Sequence, residues 1–278
     1  MKVFKNIKQL QNFSFLVKSV GKTIGFVPTM GNLHEGHISL VAMAKRDNDV
    51  VGVSIFVNPT QFGPTEDYSK YPRTLEADVE KLEKAGCDFV FVPEVSIMYD
   101  ESATDVFVSD KNASKTLCGK FRPDHFDGVL TVVAKLLNIS RPTKAYFGKK
   151  DYQQFVLINK MNDALDLDVE IVPCPLIREQ DGLAMSSRNS YLGAEDRKKA
   201  LKINQALKKV ETSFQEGEQN VDKLKKIGLE VLIPDIQLQY LEILDSNKMT
   251  KVDVAEKGCL VAVAGFCGPV RLIDNIIL

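Results

Sequence analysis

The stretch TIGFVPTMGNLHEGHISLVAMAKRDNDVVGVSIFV, residues 23–57, predicts the fold class of the chain. TIGFVP (23–28) and VVGVSIFV (50–57) are short apolar runs typical of buried strands, and the segment from His34 to about Arg46 has the pattern of a helix. A strand, a helix and a second strand in this order form a βαβ crossover, which joins parallel strands. Near-continuous apolar strands agree, because both faces of a parallel sheet are buried.

The alternation of helices and strands continues to about residue 175. The periodicity predicts helices at 73–86, 126–139 and 151–165 and strands at 87–93, 144–148 and 167–175. Gly86 is expected to end the first of these helices as a C-cap. This part of the chain therefore predicts an α/β fold, a Rossmann-like parallel sheet with helices on both faces, in which ligands bind at the carboxyl ends of the strands.

Beyond residue 176 the pattern changes to charged helices and then to strands with short connections. Helices are predicted at 194–219 and 221–232, and strands at 236–244, 258–266 and 270–278. Short connections favour antiparallel pairing, which predicts a smaller C-terminal α+β domain with a three-stranded antiparallel sheet. We expect two domains, residues 1–176 and 177–278, with the boundary marked by Pro173 and Pro175.

Composition and charge exclude several classes of function. Hydrophobic residues make up 44% of the 278 residues and charged residues 26%, which is ordinary for a globular protein. The net charge of -1 predicts no binding to nucleic acid and no attraction to an anionic membrane. Five scattered cysteines without a CxxC pair predict neither disulfides nor a structural zinc site. Because the sequence has neither a signal peptide nor a membrane-spanning run, we expect a soluble cytoplasmic protein.

Two of the three histidines, His34 and His37, lie three positions apart just after the first predicted strand. Gly31 permits a tight turn before them, and the following helix N-terminus offers free N–H groups and a positive dipole end, a natural phosphate site. Both imidazoles would lie in the first helical turn, on one face, as donors to a polyphosphate. Zinc proteases need histidines four positions apart, so HEGH is not that motif. Metal binding with a distant third ligand and a purely structural role both remain open.

Polar residues also follow two other predicted strands. Gln61 is expected near the carboxyl end of the strand at 50–57, where a neutral amide can bind a hydroxyl or carboxylate group. Lys149 and Lys150 follow KAYFG beside a helix for which Asp151 is the expected N-cap, and a lysine there binds phosphate as a point charge. Each also has a simpler interpretation, as a loop residue or as part of a solvated face.

The segment IREQDGLAMSSRNSYL (177–192) combines two hydroxyls and a guanidinium group at Ser186–Arg188. Such a set on a mobile loop can bind phosphate. An interdomain linker is the alternative, although linkers rarely contain consecutive apolar residues such as those at 183–185. The third histidine, His125, precedes a predicted helix, and a role in the site and a local structural role both remain open.

Taken together, the motifs resemble those of the pantothenate synthetases, the pantoate–β-alanine ligases of the HIGH-motif nucleotidylyltransferase superfamily. The similar blocks occur in the family's order and run from residue 27 to 275: VPTMGNLHEGH, SIFVNPTQF, YPRT, RPDHFDGVLTVVAKL, FGKKDYQQ, DGLAMSSRN and RLIDN. The histidine pair by itself is shared with nucleotidylyltransferases and class I aminoacyl-tRNA synthetases, whereas the combined set is specific.

The resemblance implies a two-step reaction with ATP, pantoate and β-alanine as substrates. ATP and pantoate form pantoyl adenylate and pyrophosphate, and the amine of β-alanine then attacks the acyl group to give pantothenate and AMP. Adenylation gives a poorly electrophilic carboxylate a good leaving group, and a dry site protects the intermediate from water. Mg²⁺ is expected with ATP, with Asp78 as a candidate protein ligand, and a homodimer is expected from the family only.

The resemblance also assigns roles by position. The catalytic candidates are His37 as the proton donor, His34 at the phosphates, Lys150 for the pentavalent transition state and Arg188 from the closing loop. Gln61 and Gln154 resemble the two amides that hold pantoate, and Gln61 is also placed near β-alanine. The ATP-contacting positions are Met30, Gly31, Asn32, Leu33, His34, Glu35, Gly36, His37, Gly148, Lys149, Lys150, Asp151, Ile177, Met185, Ser186, Ser187 and Arg188.

Three other functions compete with the ligase. A nucleotidylyltransferase that acts on a phosphate ester needs additional cationic side chains for the second anionic phosphate. This chain has two neutral glutamines at the corresponding positions. An aminoacyl-tRNA synthetase is disfavoured by the net charge of -1 and by the lack of room for an anticodon-reading module. A non-catalytic nucleotide sensor predicts ATP binding without turnover, and it is disfavoured because each candidate catalytic position is intact.

Overall fold

The computed structural model describes residues 1–64, 66–100, 105–112 and 115–278, which form two compact units. The first unit comprises Met1–Ser114, Arg122–Lys149 and Gln154–Pro175, and the second comprises Lys115–Phe121, Lys150–Gln153 and Leu176–Leu278. The second unit thus includes two short segments from the region before residue 176. The division into domains 1–176 and 177–278 stays a prediction.

A six-stranded sheet forms the centre of the first unit. Its strands are β1 (Lys2–Phe4), β2 (Ile24–Thr29), β3 (Val50–Ile55), β4 (Phe89–Phe91), β5 (Lys144–Gly148) and β6 (Glu170–Cys174). Their order is β1-β4-β3-β2-β5-β6, and every neighbouring pair is parallel. The predicted fold class is therefore confirmed. The order of the strands reverses at β2, between β3 and β5, which is where open α/β sheets bind ligands.

The helices agree in type with the sequence prediction, and four short or peripheral elements were missed: β1, the helix at Ile7–Ser19 and those at Val95–Met98 and Leu117–Phe121. In chain order the helices are α1 (Ile7–Ser19), α2 (Glu35–Asp47), α3 (Leu75–Lys84), α4 (Val95–Met98), α5 (Leu117–Phe121), α6 (His125–Ser140), α7 (Tyr152–Ala164), α8 (Ala194–Gln215) and α9 (Val221–Leu232). The apolar face of α2, Leu40, Val41 and Ala44, packs in one core cluster with β2 and β3. Gly86 (φ 74°) lies just beyond α3, where the chain leaves the helix.

Pro28 lies inside β2, although proline is unusual in the middle of a sheet. The carbonyl of Ile24 accepts from the N–H of Thr143 (2.8 Å), so the even-numbered residues of β2 direct their backbone groups towards β5. Pro28 has no N–H to donate on that side. The β2–β5 ladder ends at the pair Phe26–Ala145, two residues before Pro28. The ladder is therefore open at the carboxyl ends of the two strands, where the strand order reverses.

A three-stranded antiparallel sheet forms the centre of the second unit, as predicted. Its strands, in spatial order, are β7 (Gln237–Leu244), β8 (Leu260–Cys267) and β9 (Val270–Ile277). Apolar residues of α8, α9 and the sheet form one core cluster, which includes Leu207, Leu224 and Val261. Pro269 lies in the short connection between β8 and β9, where it interrupts no strand.

The five cysteines are free thiols and all are buried. Burial raises the pKa of Cys87 to about 12 and that of Cys174 to about 11, so both thiols stay protonated at neutral pH. Protonated buried thiols behave as small apolar side chains. Among the described helices, none combines the length and apolar character needed to cross a membrane.

Candidate functional site

One buried carboxylate holds the turn that follows β2. Asp78, in the first turn of α3, accepts the backbone N–H groups of Asn32 (2.8 Å) and Leu33 (2.7 Å). Lys81, one turn later, donates to the carbonyl of Leu33. Gly31 (φ 82°) and Asn32 (φ 49°) adopt left-handed conformations, which glycine and asparagine tolerate best. Consecutive N–H groups in such a turn form a concave anion site, and here the Asp78 carboxylate occupies it.

Asp78 is therefore a positioning residue, and it does not fit the candidate role of magnesium ligand. The carboxylate is 0% exposed, and it also accepts from the hydroxyl of Thr74 (3.2 Å). Both of its oxygens are thus engaged by protein donors. Within the described parts of the chain, no group of three His, Cys, Asp or Glu side chains is arranged to hold a metal ion.

Asp78→Asn is expected to lower the free energy of unfolding by about 1–3 kcal/mol. The new amide nitrogen is a donor, and it would face a backbone N–H that then lacks an acceptor. Thermal and urea unfolding followed by circular dichroism would measure the change. Glu76→Gln is the matched control, because Glu76 is an exposed acid in the same helical turn. Equal stability of the two variants would contradict the anchoring role.

His34 and His37 cap the start of α2. His34 is the N-cap, and its Nδ1 accepts the N–H of Gly36 (3.2 Å), while Nδ1 of His37 accepts the N–H of His34 (3.3 Å). The ring centroids are 4.1 Å apart. A neutral imidazole that accepts at Nδ1 carries its proton on Nε2. The capping geometry therefore selects, for both rings, the tautomer that donates from Nε2.

Several N–H groups around the start of α2, which the sequence prediction treated as free, are bonded within the protein. The N–H of Gly31 donates to the hydroxyl of Thr29 (3.2 Å), and its neighbours bond to Asp78 and to the imidazoles. The N–H groups already bonded within the protein are those of Gly31, Asn32, Leu33, His34 and Gly36. These five N–H groups are engaged, whereas Nε2 of each imidazole is a donor that the turn can present to a phosphate.

The amide of Gln61 is oriented by a second amide, that of Asn58. Nδ2 of Asn58 donates to Oε1 of Gln61 (3.1 Å), which directs Nε2 of Gln61 to the sulfur of Met30 at 3.1 Å. The Asn58 oxygen accepts from the hydroxyls of Tyr99 (2.7 Å) and Thr60 (3.0 Å). Burial raises the pKa of Tyr99, so its phenol keeps the proton that it donates. The sequence gives no sign of this role for Asn58, because two of its partners, Tyr99 and the Gly128 carbonyl, come from distant segments.

His125 is part of a chain of hydrogen bonds that holds the Gln61 carbonyl. Its Nε2 lies 2.8 Å from NH1 of Arg122, which can only donate, so Nδ1 carries the proton and donates to the Gln61 carbonyl at 2.8 Å. Two nitrogens of Arg122 bind the Glu66 carboxylate at 2.6 Å. Burial raises the pKa of Glu66, but Arg122 outweighs it, so this pKa lies below its usual value. His125 is thus a positioning residue.

The second unit contains the other candidate phosphate segments. Ile177 and Met185 face each other at the ends of a hairpin, where the N–H of Met185 donates to the Ile177 carbonyl (3.0 Å). Ser186 caps the following 3-10 turn, and its hydroxyl accepts the N–H of Arg188 (3.3 Å). Nζ of Lys150 lies 3.8 Å from a carboxylate oxygen of the neighbouring Asp151.

The two adjacent glutamines of FGKKDYQQ differ in role. Gln153 is buried, accepts the N–H of Cys118 (3.0 Å) and donates to the carbonyl of Thr116 (3.0 Å). Its amide is therefore used within the protein. Gln154 is half-buried and is the remaining candidate for substrate binding.

The structure divides the candidate residues between the two units. The first unit contains Met30–His37, Gln61, Gly148, Lys149 and Gln154, and the second contains Lys150, Asp151, Ile177 and Met185–Arg188. Met30 contacts Gln61, and the two imidazole rings lie beside each other with an interplanar angle of 39°. Gly148 and Lys149 follow β5, the neighbour of β2 at the reversal of strand order.

Comparison with known proteins gives consistent matches over the full length. A family model described as pantoate-beta-alanine ligase matches residues 2–277. The chain is 49% identical over 279 residues to the pantothenate synthetase of Fervidobacterium nodosum (100% of this chain, 99% of that protein) and 50% identical over 280 residues to that of Thermotoga neapolitana (100% of both). The crystal structure of pantothenate synthetase from Thermus thermophilus matches with TM-score 0.93 and 40% identity (100% of this chain, 99% of that one). The pantoate-beta-alanine ligase of Francisella tularensis, complexed with beta-gamma ATP and β-alanine, matches with TM-score 0.81 and 37% identity (100% and 97%).

Proposed function

The chain belongs to the pantoate–β-alanine ligase family, and from this membership we propose that it condenses pantoate with β-alanine through a pantoyl adenylate, releasing AMP and pyrophosphate. It is an ATP-dependent ligase. The observation that carries the proposal is the pair of imidazoles at the start of α2, both held in the tautomer that donates from Nε2. Two such donors at the carboxyl end of β2 suit the charge that develops on a departing pyrophosphate.

In the first step, a carboxylate oxygen of pantoate attacks the α-phosphorus of ATP. A new P–O bond forms, and the bond between the α-phosphorus and the pyrophosphate oxygen breaks. His37 donates from Nε2 to the leaving oxygen, and His34 donates to the adjacent phosphate. Lys150 and Arg188 supply positive charge to the pentavalent centre and the phosphates.

In the second step, the neutral amine of β-alanine attacks the acyl carbon. The C–N bond forms, the bond to the adenylate oxygen breaks, and AMP leaves with the electron pair, while the nitrogen gives up one proton, which the departing phosphate accepts. Gln61 and Gln154, both in the first unit, hold the hydroxyl and carboxyl groups of pantoate. Because Asn58 orients the Gln61 amide and His125 holds its carbonyl, the donor face of Gln61 is set before substrate binds.

We also propose that Mg²⁺ accompanies ATP, where it would neutralise phosphate charge. Asp78 does not fit as its protein ligand, because the buried carboxylate is bonded to backbone N–H groups. The steps above state only what the side chains contribute to proton transfer and charge stabilisation. A cytoplasmic homodimer without nucleic-acid or membrane partners completes the proposal, and sedimentation equilibrium of the purified chain would test the dimer.

The decisive assay is exchange of labelled pyrophosphate into ATP with pantoate and without β-alanine. The adenylate mechanism predicts exchange that depends on pantoate, and formation of AMP and pantothenate in equal amounts once β-alanine is added. Absence of exchange in a folded protein that binds ATP would instead support a nucleotide sensor. Exchange driven by a phosphate ester and not by pantoate would support a nucleotidylyltransferase.

Gly128→Ala is expected to raise the KM for pantoate by about tenfold or more. A Cβ at Gly128 would lie 2.3 Å from the Thr60 carbonyl oxygen and 2.7 Å from the Gln61 nitrogen, so the turn that carries Gln61 must move. Steady-state kinetics would measure the effect. Gly63→Ala is the matched control in the same loop, because its nearest contact would be an ordinary 3.7 Å to Glu66. Similar KM values for the two variants would contradict the prediction.

A further inference from the structure

Two adjacent polar residues are buried near the end of the last strand. Asp274 is 3% exposed and Asn275 8%, and both belong to β9 and to the RLIDN motif, for which the proposed mechanism has no role. Successive side chains of a strand point to opposite faces, so the two reach different neighbours. Buried polar groups destabilise a fold unless they are hydrogen-bonded, and the partners of these two therefore indicate what they do.

Asn275 holds the backbone of Lys150. Its Nδ2 donates to the Lys150 carbonyl at 2.8 Å. A lysine carries its ammonium group on a flexible four-carbon side chain. The position of the ammonium is therefore defined only if the backbone of the lysine is fixed. Both residues lie in the second unit, and the contact joins the strand to the 3-10 turn at Lys149–Asp151.

Asp274 holds the hairpin that leads into the Met185–Arg188 loop. Its two oxygens accept from NH1 (2.6 Å) and NH2 (3.0 Å) of Arg178, a bidentate pair. NH1 also donates to the Gly182 carbonyl (3.1 Å), and Arg178 is bridged to Ala184 across the hairpin. Burial raises the pKa of Asp274, whereas the Arg178 guanidinium lowers it. The Asp274 carboxylate is nearly enclosed, so loss of Arg178 leaves it as a poorly solvated charge.

We propose that Asp274 and Asn275 are positioning residues that hold the two phosphate-contacting segments of the second unit, the Lys150 turn and the Met185–Arg188 loop, on one rigid strand. The inference rests on the proposed function, because it concerns the placement of groups that the proposal assigns to ATP. The competing interpretation is that the two side chains only stabilise the sheet. The two interpretations differ in whether a substitution in β9 acts on catalysis through Lys150.

A double-mutant cycle of Asn275→Ala and Lys150→Ala, with pyrophosphate exchange as the readout, tests the first contact. If Asn275 acts by placing Lys150, Asn275→Ala lowers the exchange kcat about ten- to a hundredfold in the wild-type background. In the Lys150→Ala background it then changes kcat by less than about threefold. The same factor in both backgrounds, or no loss in the wild-type background, would overturn this role of Asn275.

Asp274→Asn tests the second contact, and it keeps the shape of the side chain. We expect the KM for ATP to rise about tenfold, because the hairpin that ends at Met185 loses its bidentate anchor. Glu242→Gln is the control, since Glu242 lies on β7 of the same sheet and also forms an ion pair, with Lys225 of α9 (2.9 Å). Equal effects of the two variants on the KM for ATP would reduce Asp274 to a structural residue and overturn the proposal for it.

Two further measurements keep the test decisive. If Asp274→Asn does not fold, Arg178→Lys keeps the charge but removes the fork, and it should raise the KM for ATP in the same way. An unchanged KM in Arg178→Lys would count against the anchor. The wild-type protein is assayed first: lack of exchange there would refute the proposed function, whereas exchange with additive variants would refute only the positioning role.

Discussion

Lys150→Ala is expected to lower the rate of pantoate-dependent pyrophosphate exchange by about 100- to 1,000-fold, while the fold is retained. The pentavalent centre carries more negative charge on its oxygens than the ground state, and the ammonium of Lys150 is a donor assigned to it. The side chain is 22% exposed, and Nζ is 3.8 Å from the Asp151 carboxylate, a weak contact whose loss has little effect on folding. The loss should therefore appear in kcat.

Two controls define this experiment. Lys160→Ala removes another lysine of the same region, from α7, whose ammonium pairs with Asp110 at 2.6 Å and is 59% exposed. We expect Lys160→Ala to keep an exchange rate within about twofold of the wild-type rate. The proposed mechanism gives Lys160 no role, and an exposed ion pair contributes little to the stability of the fold. Lys150→Arg keeps the positive charge but replaces the ammonium by a planar guanidinium group. Partial recovery of the exchange rate in this variant would show how much of the effect is due to charge alone. Exchange by Lys150→Ala at near-normal rate would refute the assignment.

His37→Ala is expected to produce a similar loss of exchange, about 100- to 1,000-fold, together with about 1 kcal/mol of lost stability. The two effects come from different nitrogens. Nε2 is the proposed proton donor, whereas Nδ1 accepts the N–H of His34 and caps α2. Removing the ring removes both at once, so the alanine variant alone does not separate catalysis from folding.

His37→Gln separates the two contributions. Glutamine at this helix position is a normal partner in a capping box, since its side-chain oxygen can reach back to the N-cap N–H. We expect His37→Gln to recover the stability that His37→Ala loses, without recovering the exchange rate, because a glutamine amide does not transfer a proton. Recovery of both by glutamine would show that His37 acts only as a cap.

The fold class was predictable because its strongest signals are local. The strand at 144–148 and the helix at 221–232 were predicted to the residue, since apolar periodicity and their flanking residues mark both ends. β1 and α1 were missed for a physical reason. β1 has three residues and exists by pairing with β4 across more than 80 positions, and α1 buries only Leu10 and Ser14, so its apolar pattern marks no core face.

The motifs of the candidate site were predictable from the sequence, but the residues that hold those motifs in place were not. The histidines, Gln61 and Lys150 follow strands, so the sequence indicates them directly. The residue that shapes the turn, Asp78, occurs 46 positions after Asn32, and an acid in the first turn of a helix is common for reasons of the helix dipole alone. Its contacts with two backbone N–H groups depend on tertiary packing, which no local pattern predicts. The bonds that engage most of the N–H groups before α2, including those of Asn32 and Leu33, were not predicted for the same reason.

Pro28 has a consequence for altering the substrate range proposed for this sheet. Because a missing backbone hydrogen accompanies the open ladder between β2 and β5, the opening is a property of the main chain and not of the side chains around it. Replacing the side chains at the opening by larger or smaller ones then leaves the spacing of β2 and β5 unchanged. Substrate range could therefore evolve, or be engineered, on a scaffold whose central sheet stays unchanged, provided that this one imino acid is kept.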